Sequence, residues 1–158
     1  MNQFLDLRTM SERIAVAADH AGYEYKTKIV AYLREKRYDV TDFGVESTES
    51  ADYPDYAARA AKAVSSGDAR WGVIVCGSGI GVSIVADKFK GVRAANCLNP
   101  EMATLAREHN DANVLTLGQR LVEWELVPEI IDTFLNTPTS DQERHRRRVE
   151  KIHEVSGL

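Results

Sequence analysis

The chain has 158 residues, a length that can bury a sizeable core in one domain. Hydrophobic residues make up 44% and the formal net charge is −4, which excludes a disordered chain and argues against a nonspecific grip on nucleic acid by the whole surface. No apolar run approaches the roughly 20 residues of a membrane span, and residues 1–12 lack the basic start and apolar stretch of a secretory signal.

In chain order, Ile14 to Ala18 is a short apolar run that ends at Asp19-His20-Ala21-Gly22, a buried strand followed by a turn. Tyr25, Ile29, Tyr32 and Leu33 then recur at helical spacing up to about Lys36. Val40 to Phe43 reads as a second strand closed by Gly44, and residues 45–53 as a polar loop. Pro54 opens a helix, continued by the alanine-rich stretch Tyr56 to Val64 and ended by Ser65-Ser66-Gly67. Trp71 to Val75 is a third apolar strand. Cys76-Gly77-Ser78-Gly79-Ile80-Gly81 follows it directly, and Val82 to Lys88 reads as the start of a helix. Val92 to Cys97 is a fourth strand, and Asn99-Pro100 starts a helix that ends near His109-Asn110. Val114 to Leu117 is a fifth strand ending at Gly118, and two helices follow, about 122–135 and 141–155.

Strands that alternate with helices and are apolar on both faces predict one α/β domain, a five-stranded parallel sheet with helices on both sides. The domain spans residues 13–158, with residues 1–12 as a flexible tail. Ligands on such sheets bind beyond the carboxyl ends of the strands, and Asp19, Cys76 and Gly118 all fall there. Cys76 and Cys97 are too few for a disulfide framework and wrongly spaced for zinc, so a reduced, cytoplasmic setting with a free Cys76 is expected.

Asp19-His20-Ala21-Gly22, Asp52-Tyr53-Pro54, the Cys76–Gly81 run, His109 to Leu115 and Arg144-His145-Arg146-Arg147-Arg148 resemble, in order and approximate spacing, the sugar-phosphate isomerases of the ribose-5-phosphate isomerase B type. That superfamily also holds the galactose-6-phosphate isomerase subunits. The likeness covers roughly residues 13 to 153. It implies a Rossmann-like three-layer sandwich, a homodimer or dimer of dimers with active sites shared between subunits, and no cofactor, metal or nucleotide. It also implies roles. Cys76 would be the base and His109 would open the sugar ring. Gly77, Ser78, Gly79, Ile80, Gly81 and Asn110 would hold the enediolate. Arg144 and Arg148, with His20 and Arg120, would bind the phosphate. Two departures stand out: Ser78 replaces the threonine of many members, and the residues before Arg13 have no counterpart in the family core. Some members use a nearby glutamate as base, whereas this chain has the cysteine, followed by the apolar Ile80 and Val82.

The residue chemistry fits. Aldose–ketose isomerisation moves a proton between adjacent carbons through a cis-enediolate, which needs one base and preplaced donors for the oxyanion. A thiol where a strand meets free amides suits a thiolate, and glycines admit close backbone approach. The competing reading of Cys76 is a small buried hydrophobe, which is the reading for Cys97. Dinucleotide binding fits poorly, because the third glycine comes too early and no acidic residue follows about 20 positions later. Asp19 can accept a sugar hydroxyl or orient a base, or simply hold its own turn. His109 suits ring opening near neutral pH, and Asn110 could equally be a helix stop. Arg144 and Arg148, four apart, project from one helix face, and two guanidinium forks suit a phosphate. Arg146 and Arg147 point elsewhere, solvated or paired with acids. The basic run is too short, and too poor in interleaved aromatics, to favour RNA. Tyr53 lines a sugar pocket or packs as a loop aromatic. The expected substrate is ribose 5-phosphate. The same site could act on erythrose 4-phosphate or on allose or galactose 6-phosphate, and a non-catalytic nucleotide-binding module is the distant alternative.

Overall fold

In the computed structural model, which describes residues 12–158, strand β1 (Arg13–Ala18) is flanked by β2 (Asp39–Asp42) and β3 (Trp71–Cys76). Strand β3 pairs in turn with β5 (Val114–Gly118), which carries β4 (Ala94–Asn96) at the far edge, and every pairing is parallel. The expected five-stranded parallel sheet is therefore present. Six α-helices join it among the described residues: α1 (Tyr23–Glu35), α2 (Tyr53–Ser66), α3 (Ile80–Ala86), α4 (Pro100–Asn110), α5 (Val127–Asn136) and α6 (Glu143–Ser156). The tail expected over residues 1–12 lies outside the described residues except for Glu12, which pairs with Arg70 at 2.8 Å.

Side chains on a strand alternate between faces, so each central strand feeds two cores. Ile14, Val16, Val73, Val75, Leu115 and Leu117 face α1, α4 and α5, where Ile29, Leu33, Ile130 and Phe134 close over them. Ala15, Ala17, Ile74 and Val114 face α2 and α3 and meet the alanines of α2 with Val82 and Ala86. The side chains of β1 beyond Arg13, and all those of β3 and β5, are buried.

The edges differ from expectation. Strand β2 is Asp39–Asp42, one residue earlier than the apolar run suggested, with its aspartates turned to ion pairs with Arg13 and Lys26. Strand β4 is three residues rather than six, because the Arg93 N–H is taken by the Asn113 side chain at 2.8 Å. The helix expected from about 122 starts at Val127 after a short 3₁₀ turn at Trp124–Leu126.

Helix α4 decides where the site residues go. It starts beyond the carboxyl edge of the sheet, where Asn99 Oδ1 accepts the Met102 N–H at 2.8 Å. It then runs back over about 16 Å, 1.5 Å per residue, to the amino edge, where the Gly72 N–H donates to Asn113 O. Asp111, in the left-handed region at φ 45°, ends it. Arg107 holds that end. Its guanidinium lies 4.5 Å from the Trp71 ring centre and donates to Ala112 O at 2.6 Å, Asp111 Oδ1 at 2.8 Å and Thr137 O at 3.2 Å. Arg107→Ala leaves the buried Ala112 carbonyl and the half-buried Thr137 carbonyl without this donor and is expected to cost about 2–4 kcal/mol of folding free energy, measured by equilibrium urea unfolding.

Candidate active site

Strand β3 delivers Cys76 to the carboxyl edge, and the chain turns there through Gly77, Ser78 and Gly79 into α3. Gly79 sits at φ 77°, which a side chain resists. Its N–H donates to Cys76 Sγ at 3.1 Å, and the Ile80 N–H donates to Ser78 Oγ at 3.2 Å. The chain leaving β5 is stitched to this turn: the Gln119 N–H donates to Cys76 O at 2.9 Å and the Arg120 N–H to Gly77 O at 3.0 Å. The Arg120 guanidinium lies over Gly77, close enough that a Cβ there would stand 3.1 Å from Nη1.

Across the cleft, the turn after β1 rides on the end of β3; a Cβ on Gly22 would come within 2.6 Å of Val75 O. Asp19 Oδ1 accepts the Gly22 N–H at 3.1 Å, so the turn-holding role of this carboxylate is real and coexists with its place on the cleft wall. His20 Nδ1 is occupied by the main chain of Ala51, whose N–H lies 3.0 Å away, which leaves the other ring nitrogen for a ligand. Tyr53, at the first turn of α2, closes the side: its ring would stand 2.8 Å from a Cβ on Gly81. Asp19, His20, Tyr53, Cys76, Ser78 and Arg120 thus share one open cleft of about 360 Å³ with Gly77 and Gly81. The Ile80 side chain is 54% exposed, so toward this turn Ile80 supplies its main-chain amide.

The other predicted residues are elsewhere. His109 lies at the amino edge, in a separate hollow with Thr139, Ser140, Arg144 and His145. Its ring stacks on His145 with centres 4.3 Å apart and planes 6° from parallel. Asn110, the last residue of α4, faces a third hollow beside Arg93 and Ile152. Asp111, not Asn110, takes the left-handed stop position. Arg144 and Arg148 are exposed on α6, while Arg147 pairs with Glu143 at 2.9 Å, as a solvated face would. The predicted residues are therefore divided between opposite edges of the sheet.

Sequence reasoning missed His145 and Arg107. His145 is 7% exposed, and loss of solvation, then the charges of His109, Arg144 and Arg148, hold its imidazole below the ordinary value, with Glu108 opposing. The signal was available in the spacing of His145, Val149 and His153, the less exposed face of an otherwise charged helix. Cys97 is core as expected; burial pushes its thiol up to about 11.

Comparison with known proteins agrees with this geometry. The family described as Ribose/Galactose Isomerase matches residues 14–152. The ribose-5-phosphate isomerase B of Escherichia coli (strain K12) is 45% identical over 141 residues, covering 89% of this chain and 94% of that protein. The structure of the Clostridium thermocellum ribose-5-phosphate isomerase B superposes with a TM-score of 0.89 at 45% identity, covering 92% of this chain and 97% of the other. That of the Thermotoga maritima ribose 5-phosphate isomerase does so at 0.87 and 50%, covering 90% and 98%. The family match over residues 14–152 and the relatives 45% identical over most of their length show that the chain belongs to the ribose/galactose isomerase family as an isomerase of the ribose-5-phosphate isomerase B type.

Proposed function

We propose that this isomerase interconverts ribose 5-phosphate and ribulose 5-phosphate. The observation that carries the reading is Cys76 Sγ, set in an open cleft, facing the Gly79 amide and sharing that cleft with Arg120 and His20. As a thiolate, Cys76 removes the proton from C2 of the linear aldose and returns it to C1 on the same face. The hydroxyl proton moves from O2 to O1, for which Ser78 Oγ supplies a donor and acceptor at the turn. Main-chain amides between Gly77 and Gly81 stabilise the enediolate oxygens, and Asp19 accepts a sugar hydroxyl. Two carbon–hydrogen events on one base balance the reaction without an external oxidant or reductant.

The site is completed by a second copy of the chain. His109, Asn110, Arg144 and Arg148 lie at the far end of α4 from Cys76, so a protomer does not close its own cleft. In a two-fold pair with antiparallel α4 helices, the amino edge of one subunit meets the carboxyl edge of the other. Exposed apolar side chains support such a pairing: Ile80 and Ile84 on α3, and Leu98, Met102 and Leu105 at the start of α4. His109 of the second copy then opens the sugar ring, and its Arg144 and Arg148 join His20 and Arg120 on the phosphate. The assembly is a homodimer or a dimer of dimers. Free, unpaired cysteines support a cytoplasmic setting, and no helix among the described residues is long and apolar enough to cross a membrane.

Three measurements test this. Cys76→Ala is expected to lower kcat on ribose 5-phosphate by at least about 10³-fold with little change in thermal midpoint, and near-normal turnover overturns the assignment of the base. Arg148→Ala is expected to raise KM about tenfold with a smaller effect on kcat, as loss of a phosphate contact requires. Mixing inactive Cys76→Ala and His109→Ala proteins after subunit exchange is expected to restore about a quarter of wild-type activity, because half the dimers carry one intact shared site. A panel of four-, five- and six-carbon aldose phosphates run beside these fixes the preferred chain length.

A further inference from the structure

Beneath the Cys76 turn, at the last position of the edge strand β4, stands an amide side chain that the isomerase chemistry above does not use. Asn96 Nδ2 donates to Ser78 O at 3.2 Å. The nitrogen of the same peptide unit is Gly79 N, whose hydrogen points at Cys76 Sγ from 3.1 Å. A peptide unit is planar and trans, so its C=O and N–H point in opposite directions and a tether on one aims the other.

We propose that Asn96 is a positioning residue for the Cys76 thiolate, acting through the Ser78–Gly79 peptide. The role is needed because the turn is permissive. Gly77 and Gly79 flank Ser78, and glycine torsions rotate with little steric penalty. An untethered Ser78–Gly79 unit can turn its carbonyl oxygen toward the sulfur, a repulsive contact for an anion. With Asn96 bound to that oxygen, only the N–H faces Sγ, and the two hydrogen bonds polarise each other.

The packing supports a purpose other than stability. Asn96 lies flush against the turn, since a Cβ on Gly79 would stand 2.3 Å from its Oδ1. That Oδ1 is buried with no hydrogen-bond partner among the described residues. The hydroxyl of Thr116, the register partner of Asn96 on β5, is buried and unpartnered as well. Replacing Asn96 by an apolar residue removes one unpartnered buried acceptor, its own Oδ1, and leaves another, Ser78 O, without its donor, so the two effects offset and the fold gains little from the residue present.

The proposal rests on Cys76 as the base, and its test separates the two. Asn96→Leu keeps the branched shape without the donor, and Asn96→Ala removes any crowding against Gly79. Both are expected to shift the thermal midpoint by only a few degrees and to leave KM for ribose 5-phosphate within about twofold. Both should lower kcat about tenfold, the weight of one misaligned charge-assisted hydrogen bond. The rate of Cys76 alkylation by iodoacetamide at pH 7 should fall by a similar factor, read by mass spectrometry, with Cys76→Ala identifying the modified site. Unchanged kcat and unchanged alkylation in either folded variant overturn the positioning role. A fall in kcat matched by a fall in folded fraction, with the alkylation rate unaltered, overturns it too. If Cys76→Ala retains turnover, the base assignment fails, while the alkylation comparison still decides whether Asn96 orients the amide at the sulfur.

Discussion

At Gly22 and Gly118 there is no room for a Cβ: one would meet Val75 O and the other the Ser78 carbonyl group, each at 2.6 Å. These two approaches of main chain to main chain draw the turns after β1, β3 and β5 together at one edge of the sheet. Parallel strands all point their carboxyl ends the same way, but that alone leaves the turns side by side. The glycines bring them into contact, so that Asp19, His20, Cys76 and Arg120 look into one cleft. The shape of the Cys76 cleft depends on this contact.

The same parallel arrangement forces a division. A helix between parallel strands must return to the starting edge, so residues at its end are the whole height of the sheet away from residues at its beginning. His109 is at the end of such a helix and Cys76 at the end of a strand. Arg107, fixed between Trp71 and three acceptors, makes the return end as rigid as the cleft itself. Stacking of His109 on His145 then couples α4 to α6, which carries the arginines. The chain therefore carries its two groups of candidate site residues at opposite poles of the sheet.

Much of this was legible in the amino-acid sequence. Central strands buried on both faces leave unbroken apolar runs, and for that reason the run Trp71 to Val75 falls only one residue short of the observed strand Trp71–Cys76. The cleft members flank those runs directly, so strand direction alone gathers them. The edge strands were misjudged because half of each is solvated and its apolar signal bleeds into the neighbouring loop, as at Val92 and Arg93. His145 and Arg107 were overlooked because charged neighbours on α6, and an ordinary salt-bridging sequence on α4, mask side chains that turn inward. Asn96 escaped notice because nothing in its neighbourhood along the chain announces that Ser78 lies above it.

The two sulfurs differ in what they face: Cys76, buried to 5% exposure, lines the floor of the open cleft, while Cys97, 1% exposed, is in the core with its thiol pushed up to about 11. Peroxide that reaches the first sulfur produces a sulfenic acid with no neighbouring thiol in the same chain ready to condense with it. Repair then falls to small thiols from outside, such as glutathione, which must enter the same cleft. Any ligand seated there consequently shields the sulfur from oxidant and from reductant alike, and the thiol is most vulnerable when the cleft is empty.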